Sequence, residues 1–157
     1  MLVAFFGIIS LSLIMLAQPY GDLAEKGSLS NPDVVDDMAE HFVIYKNVVV
    51  NHVSNNPVPG GPIRDSDVSA PDGWAFPSFN TQAFKTSSGW VYIWSDVGGA
   101  FFLEVYDKTG FSASICKMNS SGDCNRPKGD SSWPSIPRPT DNGLSIPQGS
   151  TVYAWKS

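Results

Sequence analysis

An α+β fold, with an N-terminal transmembrane helix and an amphipathic helix packed on an antiparallel β-sheet, follows from three features of the sequence. Residues 1–21, MLVAFFGIISLSLIMLAQPYG, carry no charged side chain. Residues 31–56 place apolar side chains at helical spacing. From Trp74 onward the apolar pattern shifts to period two, as half-buried strands require.

The leading segment sets the compartment of everything after it. Ten of the residues from Leu2 to Leu16 are Leu, Ile, Val or Phe. Together they favour the bilayer by roughly 3 to 6 kcal/mol on an insertion scale. Leu2, Phe5, Phe6, Ile8, Ile9, Leu11, Leu13, Ile14 and Leu16 are the anchor side chains. A helix from Met1 to Tyr20 rises about 30 Å, the thickness of the hydrocarbon core. A cleavable secretory signal needs basic residues at its start, and no Lys or Arg precedes Lys26. Its best cut, after Ala17, puts Met15 where a small residue belongs. A retained anchor is therefore preferred over a cleaved signal, and both over a buried helix of a soluble core. A type IV pilin spine is excluded in its standard form: Gly7 has no basic leader before it, and IISLSLIMLAQ after it holds no acid.

The chain divides into an anchor at 1–20, a linker at 21–30 and a domain at 31–157. The turn-prone residues of PYGDLAEKGSLSN, 19–31, interrupt the anchor helix. The remaining roughly 135 residues suit one compact domain. Asn31 can cap the next helix, Pro32 fits its first turn, and Asp33, Asp36 and Asp37 complement its positive end. Val35, Met38, Phe42, Tyr45, Val49 and His52 form its stripe. The run Val48 to Val50 is a poor helix former, and NNPVPGGPI stops the helix outright. GWVYIWSD (89–96), FFLEVYD (101–107) and FSASICK (111–117) read as a three-stranded meander, with turns at VGGA and KTG. Residues 125–149 hold Pro127, Pro134, Pro137, Pro139 and Pro147 and read as a long irregular loop. STVYAWK (150–156) makes a last strand.

Composition narrows the function classes. The net charge of −5 and the lack of a basic cluster disfavour nucleic-acid binding. Cys116 and Cys124, in SICKMNSSGDCN, have seven residues between them, including a turn-prone NSSGD. That spacing favours a disulfide clipping a hairpin, worth roughly 2.5 kcal/mol by loop closure, and an oxidising compartment. A metal site would need two more soft or imidazole ligands, and His41 and His52 lie far upstream.

Catalytic constellations are not found: there is no G-x-S-x-G elbow, phosphate loop or H-E-x-x-H. His41 and His52 share a helical face but stand about 16 Å apart along the axis, too far for one metal. Asp37 and His41 at i,i+4 are ordinary helix surface. Asp65, Asp67 and Asp72 lack the glycine and distant glutamate of a calcium loop and read as a solvated acidic turn. Trp90 and Trp94 fall on one strand face, with Trp74, Trp133 and Trp155 around it. These rings first supply core area, and any surplus suits protein docking more than sugar stacking. Trp90, Trp94 and Phe42 are the expected interaction surface.

The uncharged opening MLVAFFGIISLSLIML, the single following helix and the aromatic segments PDGWAFPSF, GWVYIW and GSTVYAWK together make the chain similar to the PilM family of type IVb (thin) pilus assembly proteins. The resemblance covers nearly the whole chain. It implies a non-enzymatic scaffold or adaptor in the inner membrane, with its C-terminal domain in the periplasm. It implies no cofactor and no catalytic residues. The implied partners are other pilus-assembly proteins and inner-membrane lipid. Within the membrane, Gly7, Ser10 and Ser12 would let helices approach closely. The alternative is an atypical minor pilin or pilus-tip adhesin with a glycan-binding aromatic face. A periplasmic hydrolase would need a nucleophile and base that are not in view.

Overall fold

The computed structural model describes residues 31–110, 112–126, 136–139, 141 and 144–157. The predicted anchor and linker, 1–30, lie outside them. Among the described residues no helix is long and apolar enough to cross a membrane.

Helix α1 (Pro32–Asn55) begins as its sequence requires. Asn31 stays extended, and its side-chain oxygen accepts from the backbone N–H of Asp33 at 3.1 Å. Proline at the first position loses only an N–H that has no helical partner there. Val35, Ala39, Phe42, Tyr45, Val49 and Val53 are buried along one stripe, while Met38 and His52 sit at its rim. The valine run at 48–50 stays helical because Val49 is fully buried, so packing outweighs weak propensity. Side chains of Asn55 and Asn56 then fold back on the carbonyls of Asn51 and His52, and Pro57 forbids another turn.

Six strands form one antiparallel sheet: β1 (Gly61–Ile63), β2 (Thr81–Lys85), β3 (Trp90–Ser95), β4 (Ile115–Met118), β5 (Cys124–Asn125) and β6 (Thr151–Lys156). Their order is β1-β2-β3-β6-β4-β5. The C-terminal strand thus enters between β3 and β4, pairing Ile93 with Tyr153 and Tyr153 with Ile115. The β2–β3 turn is closed by Thr86, whose hydroxyl accepts from Trp90 N–H at 2.8 Å, and by Gly89 at φ +85°.

Two expectations fail here. The segment read as a returning strand at 101–107 is helix α2 (Ala100–Lys108), and the meander does not exist. Gly99 at φ +66° turns the chain off β3 into the helix. Phe101, Phe102 and Val105 then bury one helical face, and Thr109 donates to the Val105 and Tyr106 carbonyls at the far end. Gly110, at φ +64°, completes the stop. The third strand is also shorter than read, starting at Ile115. β1 and β2 have no counterpart among the strands expected from sequence.

α1 and α2 pack on the same side of the sheet and against each other. Phe42 meets Phe101 edge-to-face at 5.8 Å between ring centroids, and the Lys108 ammonium donates to Asp36 at 2.7 Å. That hydrogen bond holds the Asp36 carboxyl below its ordinary range. Under the helices lie Ile63, Ala83, Val91, Ile93 and Ile115. The opposite face carries Phe84, Tyr92, Trp94, Cys116, Met118, Val152 and Ala154, covered by Ile136, Leu144 and Ile146 of the proline-rich connection. Both faces of β3 are therefore dry, which is why five of its six residues are buried. Cys116 and Cys124 form the expected disulfide at the β4–β5 hairpin, with Cα atoms 5.4 Å apart.

Candidate functional site

Two of the three side chains expected for interaction are core. Phe42 is fully buried between the helices and the sheet, and Trp94 is 4% exposed under the 136–146 covering. Trp90 is half-buried, tilted against Tyr92 at 6.4 Å. The sequence placed Trp90 and Trp94 correctly on one strand face. It carried no sign that a distant connection would cover that face, so the docking reading is corrected for Trp94 and Phe42, which are core, while Trp90 stays partly exposed. Leu103 on α2, 62% exposed, is the one large apolar side chain left in solvent among the described residues.

The histidines stay apart. His41 stacks on Trp74 at 5.9 Å, and the His52 ring lies against the Asn56 amide. No group of three His, Cys, Asp or Glu side chains is arranged to hold a metal ion among the described residues. Two of the three acids of 65–72 have local duties. Asp67 accepts from the Arg64 N–H at 2.9 Å and closes a 3-10 turn over Asp65–Asp67, while Asp65 accepts from the Tyr45 hydroxyl at 3.3 Å.

An open groove lies at the β1 end of the sheet. A groove of about 780 Å³ runs between β1, β2 and the returning connection. That volume falls within the roughly 300–1,000 Å³ of ordinary ligand sites. Phe84 and Trp94, on adjacent strands and pointing to the same face, form its floor; Gly60, Gly61 and Pro62 form one wall; Gln82, Ser87, Asp141 and Ser145 form the polar rim. Gly61 has φ +141°, and a Cβ there would meet nothing within 4 Å, so bare backbone faces the opening. Asp141 is tied in place by the Ser87 N–H, which donates to its carboxylate at 2.6 Å. Nothing in the local sequence marks this groove, because residues 60–62, 82–84, Ser87, Trp94, Asp141 and Ser145 are far apart in sequence and meet only in the fold.

Three phenols on the two faces of the sheet resist ionising. Burial, aided by the nearby Asp141 carboxylate, pushes the Tyr92 hydroxyl up to about 12, and it donates to the Pro137 carbonyl at 2.8 Å. Burial first, then Asp65, raises Tyr45 further still; Tyr153 is raised by burial. These folded values lie above the ordinary phenol near 10, so stability is full below pH 10 and falls as pH rises beyond it. Each protected phenol contributes a slope of up to about 1.4 kcal/mol per pH unit between its unfolded and folded values. Urea midpoints taken from pH 9 to 12 are expected to drop progressively, and less steeply in Tyr92→Phe. A flat profile would show these hydroxyls to be open to water.

The fold defines a small α+β domain, two helices on one side of a six-stranded antiparallel sheet. The PilM family model matches residues 12–154, most of the chain. The chain therefore belongs to the PilM family and is a pilus-related protein. It is similar to the crystal structure of a protein assigned as PilM from Escherichia coli B7A, with a TM-score of 0.50 and 14% identity. That likeness spans 81% of this chain and 97% of the other, and at this identity it speaks for the fold. No curated protein matches the chain.

Proposed function

We propose that the protein is a component of a type IV pilus assembly or pilin transport apparatus, held in the inner membrane by residues 1–20 with its domain in the periplasm. It works through contacts with other pilus-assembly proteins and not by making or breaking bonds. The family match over residues 12–154 is the observation that carries this reading. Two others support it. The uncharged opening suits a single-pass anchor. The Cys116–Cys124 disulfide suits an oxidising compartment.

The test is crosslinking and copurification of the full chain from membranes of cells carrying the pilus genes, with mass spectrometry of its N-terminus. Recovery of pilus-assembly proteins with Met1 intact is the expected result. A leader-processed chain recovered in the fibre would replace this reading by the minor-pilin one. Free protein in the cytosol with reduced cysteines would end both.

A further inference from the structure

The face of the sheet opposite the helices is sealed by a cover fastened on two sides. Ile136, Leu144 and Ile146 lie over Phe84, Tyr92, Trp94 and Met118. Towards β2 and β3, the Tyr92 hydroxyl donates to the Pro137 carbonyl at 2.8 Å, and the Ser87 N–H donates to Asp141 at 2.6 Å. On the other side the cover is fastened to the β4–β5 hairpin. The Arg138 guanidinium donates to the Ser121 carbonyl and lies 3.3 Å from the Asp123 carboxylate. Gly149 N–H donates to the Met118 carbonyl at 2.9 Å, and Met118 N–H to the Ser150 carbonyl at 3.0 Å. From this arrangement we infer that the Cys116–Cys124 bond is the latch of the cover. With the bond formed, the aromatic face is core; with two free thiols, the cover lifts from that face while the helix side of the sheet stays folded.

β5 is two residues long and pairs with β4 through Lys117–Asn125 and Met118–Cys124. A two-stranded ribbon of that length does not hold itself together in water. The disulfide supplies the missing constraint, because Cys116 is fully buried in β4 and Cys124 packs against the same cluster from the edge strand. Between the cysteines the turn is set by the Asn119 side chain, which accepts from the N–H groups of Ser121 and Asp123 at 2.9 and 2.8 Å. That turn offers Arg138 its two acceptors, and the guanidinium lies over Gly122, where a Cβ would stand 3.5 Å from Nε. Arg138 and Asp123 are half exposed, so their pairing is weak unless the turn is held still. Opening the disulfide therefore loosens the turn, the packing of Cys124 beside the cover and the Arg138 contacts together. The helix side has its own support: α1 and α2 bury Val91, Ile93 and Ile115 in a cluster that contains neither cysteine. One face can thus open while the other stays closed. The latch forms by exchange with a disulfide oxidant. Two cysteine thiols pass two protons and two electrons to it, one S–S bond forms in the chain, and the oxidant's own disulfide becomes two thiols. The device ties exposure of the aromatic face to the redox state around the chain and does not depend on the partner contacts proposed above.

The test follows hydrogen exchange in the ¹⁵N-labelled full chain in detergent micelles, before and after reduction with dithiothreitol, with mass spectrometry confirming that both thiols are free. The Leu144 N–H, which donates to the Asp141 carbonyl at 3.1 Å, and the Trp94 indole N–H report on the cover. The Phe42 and Val49 amides report on α1. Reduction should speed exchange at the two cover probes about tenfold or more and leave the α1 probes within about twofold. With the disulfide intact, Arg138→Ala should speed exchange at Leu144 about two- to fivefold. Cover probes unchanged by reduction would overturn the inference. Cover and α1 probes accelerating by the same factor would also overturn it, because the bond would then hold the whole domain and not the cover. Arg138→Ala indistinguishable from the parent chain would do the same, since the hairpin turn would not be holding the cover down.

Discussion

Phe42→Ala should cost about 3–5 kcal/mol of folding stability, the range for removing a buried phenylalanine. Phe42 is fully buried in the middle of α1, and its ring meets Phe101 of α2 edge-to-face while both cover the sheet. The loss combines the transfer of the ring from water with the cavity left between two helices and the strands beneath them. A domain of this kind is stable by only about 5–15 kcal/mol in total, so the variant would approach the edge of folding. Urea titration of the full chain in detergent, followed by tryptophan fluorescence, measures the effect. Leu103→Ala is the control, since an exposed helical leucine should change stability by no more than about 0.5 kcal/mol. If the two midpoints coincide, the helices do not pack through this ring.

Trp94→Ala should be as damaging, about 3–5 kcal/mol, but from the other side of the sheet. Trp94 pairs in register with Gln82 on one side and Val152 on the other, and packs with Phe84, Tyr92 and the covering Ile136, Leu144 and Ile146. Its removal opens a cavity where that covering sits. Near-ultraviolet circular dichroism should lose aromatic structure, and the urea midpoint should fall with the slope unchanged. The result separates two meanings of a tryptophan on a strand. A docking tryptophan would leave stability alone and abolish partner recovery, whereas a core tryptophan does the reverse until the protein unfolds.

Several elements were legible without coordinates because their signals are local. Asn31, Pro32 and the 3-4 stripe from Val35 to Val49 specify α1, since capping, proline tolerance and helical periodicity act within a few residues. The strands at 90–95 and 151–156 were also legible, because alternating aromatic and β-branched residues have few other uses. The disulfide followed from a short loop rich in turn formers. α2 was misread because FFLEVYD satisfies both periods: Phe101, Leu103 and Val105 alternate, while Phe101, Phe102 and Val105 form a helical face. Gly99 and the Thr109–Gly110 stop settle the choice, and they act on backbone geometry more than on hydrophobic pattern. β1 was hidden by Pro62, which reads as a helix stop and is tolerated only at a sheet edge. β2 was hidden because Ala83 and Phe84 are both buried, on opposite faces, and no alternation survives.

Short-range chemistry thus set the capping, the periodicity, the cysteine clip and the uncharged opening, along with the family they point to. Long-range packing set the rest: β6 slipping between β3 and β4, the helices sharing one side, and isolated Ile136, Leu144 and Ile146 closing over the tryptophans. The physical reason is that burial depends on what arrives from elsewhere in the chain. Three lone apolar residues among prolines have no period to announce them, yet they turn an expected binding face into core and leave the groove at Asp141 beside it.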